Sequence, residues 1–173
     1  KDIDFVFAVG GDGTILRSIT YVRDSGVPIL GINSGRLGFL TSVQKDNVSE
    51  ALVKIKENKF SIVERTLLEL KSNSSSNFFS YALNEVTIQR KDTTSLLNIS
   101  CSINDDYLTN YWSDGLIIST PTGSTGYSLS NGGSLVSPES KVIILNPIAP
   151  HNINMRSLII PDHSEITIKV EGT

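Results

Sequence analysis

The stretch Ile3-Asp4-Phe5-Val6-Phe7-Ala8-Val9-Gly10-Gly11-Asp12-Gly13-Thr14 decides the fold class of the chain's first part. Its first seven residues are a nearly continuous apolar run rich in β-formers that stops at a glycine pair, the pattern of a strand buried on both faces. Thr14 then caps a helix through Ile15, Leu16, Ile19 and Val22, closed by Asp24-Ser25-Gly26. A second apolar run, Val27 to Ile32, follows at once. Strand, helix and strand with such short connections predict a parallel βαβ unit. Working outward, Asn47 or Ser49 starts another helix with Val48, Ala51, Leu52 and Ile55 on one stripe, ending near Asn58.

Beyond Phe60 the period changes from helical to strand-like. Ser61 to Leu70, Phe78 to Gln89, Leu97 to Ile103, Tyr107 to Trp112, Leu116 to Ser119, Val142 to Leu145 and Glu165 to Val170 are short β-type runs between turn residues. Ser72 to Asn77 reads as a polar, mobile hairpin tip, and Asn104-Asp105-Asp106 as a hairpin turn. The expected architecture is two-part, α/β then all-β: a small Rossmann-like α/β unit over residues 1–62, then an all-β, sandwich-like domain over 63–173.

The 173 residues carry 15 basic and 18 acidic side chains, a net charge of −3, so the chain lacks the basic field of a general nucleic-acid binder. No run of about 18 apolar residues and no cleavable leader is present, so neither a membrane span nor secretion is expected. A single cysteine, Cys101, suits the cytoplasm. A start at Lys1 rather than methionine reads as a piece of a longer protein.

Three segments carry chemistry. Gly10-Gly11-Asp12-Gly13-Thr14 sits where open α/β sheets bind ligands, and its glycines let backbone approach a phosphate. It is neither G-x-x-x-x-G-K-[ST] nor G-x-G-x-x-G. A carboxylate beside phosphates must bind a metal or take a proton from a hydroxyl, both phosphoryl-transfer roles, unless Asp12 only caps the helix and the glycines only shape a turn. Asn84-Glu85, placed in mid-strand, points an amide and a carboxylate to opposite faces, where they recognise a ribose diol or adenine, or else stay wet on an edge strand. From Tyr111 to Pro138 the only charged residue is Asp114, and Thr120-Pro121-Thr122-Gly123-Ser124-Thr125-Gly126 leads into a helix carrying Tyr127. Such a loop suits sugar and phosphate held by hydroxyls and backbone N–H groups, with Tyr127 free to stack on a base. It lacks the G-x-S-x-G elbow of a serine hydrolase.

Taken together, these three segments, with Gly31-Ile32-Asn33-Ser34-Gly35-Arg36-Leu37-Gly38-Phe39-Leu40-Thr41 and Pro150-His151…Arg156 ahead of Ile159-Ile160-Pro161-Asp162, resemble the NAD kinase family over nearly the whole chain. The resemblance implies transfer of the γ-phosphoryl of ATP, or of polyphosphate, to the 2′-hydroxyl of the adenosine ribose of NAD, with Mg²⁺ or another divalent cation accompanying ATP. It casts Asp12 as catalytic base and Gly10, Gly11 and Thr14 as the phosphate loop. Gly13, Asn84, Glu85, Thr125, Gly126, Tyr127, Ser128 and Ser130 match NAD contacts, and no residue is assigned as a dedicated metal ligand. Phe39 matches an aromatic packed on the ligand, or else belongs to a core segment with Leu37 and Leu40. Asp114 matches a residue reaching the ligand of a neighbouring subunit, which implies a homo-oligomer, dimer or tetramer, with shared sites; a capping or hairpin role for Ser113-Asp114-Gly115 is the alternative. Trp112, Ala149 and His151 are further contacts by position. Trp112 replaces a common basic residue, Gly126 a frequent alanine, and His151 reads equally as a structural histidine. The rival readings are a non-catalytic dinucleotide-binding fragment and another kinase with a similar loop, acting on lipids or on fructose 6-phosphate.

Overall fold

The computed structural model describes residues 3–35, 38–72, 79–91 and 95–171. The chain divides into two units, Lys1–Glu64 with Ser75–Tyr81, and Arg65–Ser74 with Ala82–Thr173.

In the first unit, β1 (Val6–Gly10), α1 (Asp12–Val22) and β2 (Ile29–Asn33) form the expected βαβ, with β1 and β2 parallel and Gly10 opposite Asn33. A two-residue strand, β3 (Val43–Gln44), extends the sheet beside β2, and α2 (Val48–Lys56) follows. Helix α1 buries Ile15, Ser18, Ile19 and Val22, one stripe at three- and four-residue spacing, while Ala8 and Ile32 are buried on the sheet. Two expectations fail here. Among the described residues β1 is an edge strand with Phe7 47% and Val9 62% exposed, so only one of its faces is covered. Helix α1 begins at Asp12 with Gly11 as its N-cap, so Thr14 lies inside the first turn and caps nothing. The α2 stripe is half-buried at Val48, Ala51 and Ile55, whereas Leu52 is exposed.

The second unit opens with the two-residue β4 (Leu68–Glu69); β5 (Tyr81–Ala82) precedes β6 (Glu85–Gln89), β7 (Leu97–Ile103), β8 (Asp106–Ser113) and β9 (Gly115–Ser119). After α3 (Tyr127–Ser130) come β10 (Val142–Ile148), β11 (Leu158–Pro161) and β12 (Ile166–Glu171). Two larger antiparallel sheets result, in the orders β11-β10-β9-β6 and β12-β7-β8, and β4 pairs with β5. Ile99, Cys101 and Tyr111 from one and Leu116, Ile118, Ile143, Leu145 and Ile160 from the other share a single core, as in a sandwich. All five residues of β9, paired between β10 and β6, are buried, and Leu116 and Ile118 project into the shared core. Fully buried side chains such as Ile99, Leu116, Ile144 and Leu145 contribute about 1.5–3 kcal/mol each. Burial also pushes the Tyr111 hydroxyl up to about 12.

The β7–β8 hairpin turns at Asn104 and Asp105, whose φ values of 50° and 69° are those of a type I′ turn. Pro147 sits in β10 beyond the last residue paired with β11, so its missing N–H breaks no ladder on that side. The run Ser61 to Leu70 is strand only at Leu68–Glu69, and Leu158–Pro161 forms a strand that the sequence did not announce. The expected hairpin tip at 72–77 falls, apart from Ser72, outside the described residues.

Candidate functional site

In the first unit, the carboxyl end of β1 and the amino end of α1 meet at the glycine-rich turn. Gly10 has φ 154°, and a side chain there would overlap that of Thr14, so the turn admits no other residue at this position. Gly11 and Gly13 face open space, with nothing within 4 Å of a would-be Cβ. No side chain caps α1 and its Thr14 N–H donates to the Gly11 carbonyl at 2.9 Å, so the Asp12 and Gly13 N–H groups are the first-turn donors left to an anion.

Asp12 does not cap its own helix. Its carboxylate reaches across to the segment after β2, where Oδ2 accepts the Phe39 N–H at 2.8 Å and Oδ1 the Leu40 N–H at 3.0 Å. The two amides satisfy one acceptor position on each oxygen and hold the group in one orientation, leaving its other lone pairs free. Phe39 is 79% exposed, which removes the core reading and leaves its ring open to a ligand. The structure thus brings Asp12, Gly13, Phe39, Gly10, Gly11 and Thr14 together at one end of this sheet.

In the second unit, Asn84 and Glu85 are not adjacent in mid-strand as expected. Leu83 and Asn84 form a bend and Glu85 is the first residue of β6. The cause is long-range: the buried Thr120 donates its hydroxyl to the Leu83 carbonyl and its N–H to the Asn84 carbonyl at 2.9 Å, and Ser119 Oγ donates to that same carbonyl at 3.3 Å. The 3₁₀ turn Thr122–Thr125 packs on this bend so closely that a side chain at Gly123 would overlap the Asn84 carbonyl.

Glu85 Oε2 is buried without a hydrogen-bond partner among the described residues, and burial pushes its carboxyl above the ordinary glutamate value. A methyl group at Gly126 would press on Oε2 at 3.2 Å and come into ordinary contact with Asn84 Nδ2 at 3.5 Å, so the glycine leaves room beside the carboxylate. An orphaned carboxylate oxygen and an amide nitrogen beside a glycine form a cradle suited to the hydroxyls of a sugar or an amino-substituted base. Tyr127, 38% exposed, and Ser130, exposed, border the same loop. Ser128 does not face outward: it is fully buried, and its carbonyl and hydroxyl accept from Asn146 Nδ2 at 3.0 and 3.4 Å, tying α3 to β10.

Asp114 is the single residue between β8 and β9, the corner where the chain passes from one sheet to the other. It pairs with Arg90 at 3.0 Å, and its N–H donates to the Ile148 carbonyl at 3.0 Å. Trp112 and His151 lie nearby, stacked at 4.5 Å with the His151 N–H on the Trp112 carbonyl at 2.8 Å, and Ala149 holds a φ of 42°. This group occupies the Gly115 end of β9, whereas Glu85 pairs with Ser119 at the other end. The four rises from Gly115 to Ser119 span about 14 Å. The sparsely charged stretch from Asp114 to Ser130 therefore supplies two separate groups rather than one pocket. Arg90 and Gly38 had no assigned role in the sequence; 24 positions separate Arg90 from its partner, and no local pattern marks the pair.

Two family models match: the ATP-NAD kinase C-terminal domain over residues 83–173 and the ATP-NAD kinase N-terminal domain over residues 1–60. The chain is 53% identical to an NAD kinase of Flavobacterium psychrophilum, covering 99% of this chain and 60% of the relative, and 46% identical to one of Bacteroides fragilis, covering 99% and 59%. It thus spans about 60% of the length of the curated relatives it matches. Among solved structures, a yeast NADH kinase complexed with NADH superposes with a TM-score of 0.88 at 35% identity, over 98% of this chain and 51% of that one. An NAD kinase from Archaeoglobus fulgidus in complex with ATP gives 0.82 at 32% identity, over 98% and 66%.

Proposed function

Because the chain belongs to the NAD kinase family, we propose that the protein carrying it transfers the γ-phosphoryl of ATP, or of polyphosphate, to the 2′-hydroxyl of the adenosine ribose of NAD. The bond from the ribose oxygen to the γ-phosphorus forms, the β–γ bridge breaks, ADP leaves, and the hydroxyl proton passes to the Asp12 carboxylate. The observation that carries this reading is the orientation of that carboxylate by two backbone amides, at a glycine turn beside an uncapped helix start. Gly10, Gly11 and Thr14 form the phosphate turn, and Gly13 and Phe39 contact the dinucleotide. Asn84, Glu85, Thr125, Gly126, Tyr127 and Ser130 receive its adenosine part.

A divalent cation would be held chiefly by the phosphates of ATP. Among the described residues no three His, Cys, Asp or Glu side chains gather to hold a metal ion, and Mg²⁺ needs only one or two carboxylates when phosphates supply the rest. Bound there, it would neutralise charge on the transferring group.

Support for a homo-oligomer with shared sites lies in the place of Asp114, Trp112, Ala149 and His151, a strand's length from Glu85 in their own chain. A cytoplasmic setting accords with Cys101, buried and unpaired, and no helix among the described residues is long and apolar enough to cross a membrane. The α/β part would carry the base and the β-rich part the adenosine contacts, with the boundary near residue 62.

The test is an ATP-dependent phosphorylation assay on the protein as its host makes it, offering NAD, diacylglycerol and fructose 6-phosphate in parallel. Phosphorylation of NAD alone is expected; turnover of either rival in its place overturns the assignment.

A further inference from the structure

Gly38 stands against the proposed base in a way that backbone geometry does not require. Its φ lies outside the left-handed region that glycine alone enters freely; among the described glycines only Gly10, Gly26 and Gly132 have positive φ. What a side chain would violate at 38 is space. The three nearest atoms to a would-be Cβ are Asp12 Oδ1, Cγ and Oδ2, all overlapping it, with Oδ2 at 2.7 Å. The next two residues, Phe39 and Leu40, donate their backbone N–H groups to the two carboxylate oxygens. At Gly31 a side chain would meet not only Ile15 Cδ1 at 2.5 Å but also backbone, Thr41 Cα at 3.0 Å and the Leu40 carbonyl oxygen at 3.2 Å, and that backbone part no side-chain substitution relieves.

We propose that Gly38 is a positioning residue for Asp12: the missing side chain lets the 38–40 backbone close on the carboxylate, and the Phe39 and Leu40 amides then fix the orientation in which it takes the ribose 2′-hydroxyl proton. Backbone amides have no rotamers to lose, so the grip is preorganised. One lone pair on each oxygen is occupied, and the remaining ones receive the proton without the grip being released. A methyl group at 38 pushes the carboxylate or the segment aside by about an ångström, a displacement that costs on the order of a hundredfold in rate. The inference rests on the reaction proposed above.

Its test separates the two. Gly38→Ala, Asp12→Ala and the double variant are compared by thermal unfolding without ligand, alongside steady-state kinetics of Gly38→Ala with NAD and ATP. In the Asp12 parent, Gly38→Ala lowers the melting temperature, and in the Asp12→Ala background the same change costs little, because the atoms it overlaps are gone. In kinetics, Gly38→Ala loses about a hundredfold in kcat while KM for either substrate moves less than about threefold. An equal loss of melting temperature in both backgrounds, or an unchanged kcat, overturns the proposal. Should Gly38→Ala not fold alone, folding of the double variant supports it and failure of both contradicts it. A parent that does not phosphorylate NAD defeats the reaction instead, and the unfolding comparison then judges the Gly38–Asp12 contact by itself.

Discussion

Glu85 carries a buried carboxylate oxygen with no partner, so the free protein holds a group that is better placed for a ligand than for stability. Burial raises its folded value above the unfolded 4.5, so its favourable contribution is present below 4.5 and is lost as pH rises through the folded value. At neutral pH the ionised side chain is a cost. Glu85→Gln should raise the melting temperature of the ligand-free protein at pH 7 by roughly 2–4 °C, equivalent to about 1 kcal/mol, and by less near pH 4. Scanning calorimetry at the two pH values checks this, and a gain independent of pH would contradict it. The same variant should bind NAD at least about tenfold more weakly in titration calorimetry. Such opposed effects are the mark of a site residue whose cost the ligand offsets. Phe39 makes a related point: between ligand contact and core the sequence leaves the choice open, and an exposure of 79% settles it against the core.

Among the elements, the β8–β9 corner is held closely against the neighbouring strand β6. A methyl group at Gly115 would overlap the Ile88 carbonyl of β6 and lie 3.1 Å from Gln89 Cα, and neither backbone atom can swing aside as a flexible side chain would. Gly115→Ala should therefore cost about 2–3 kcal/mol in denaturant unfolding; a loss below about 0.5 kcal/mol would show that the two strands can spread. Strands β7, β9 and β12 were legible within a residue or two because β-branched runs end at turn residues. The hairpin turn at Asn104 and Asp105 was legible from its Asx content. Other elements depended on partners distant in sequence. The bend at Leu83–Asn84 is pulled out of the strand by Thr120 and Ser119, more than 30 positions away. The apolar run of β1 looked two-faced, yet among the described elements α1 and β2 are the ones that pack closely on it, and Ser61 to Leu67 has β-type residues but no strand. Local spacing holds no record of such contacts.

For the whole molecule, family and two-part fold were readable because the glycine turn, the Asn84-Glu85 pair and the Thr120–Tyr127 loop occur in one order along the chain. The grouping of the site residues was not, since the corner at Asp114 sends one end of a continuous stretch a strand's length from the other. The shared sites proposed above make a prediction at this scale. Asp114→Ala and Glu85→Gln subunits, each impaired alone, should regain activity when unfolded and refolded together, because some mixed oligomers contain a site with both native residues. Activity no greater than the sum of the separate preparations would place Asp114 in its own subunit's site or in none.

The central claim is that Asp12 takes the proton of the NAD ribose hydroxyl. NADP formation in a single turnover, measured for parent and Asp12→Asn alongside NAD affinity, tests it most directly. Abolished transfer with affinity kept within about tenfold, or about 1.4 kcal/mol, is the predicted result, and equal transfer rates for the two proteins would contradict it.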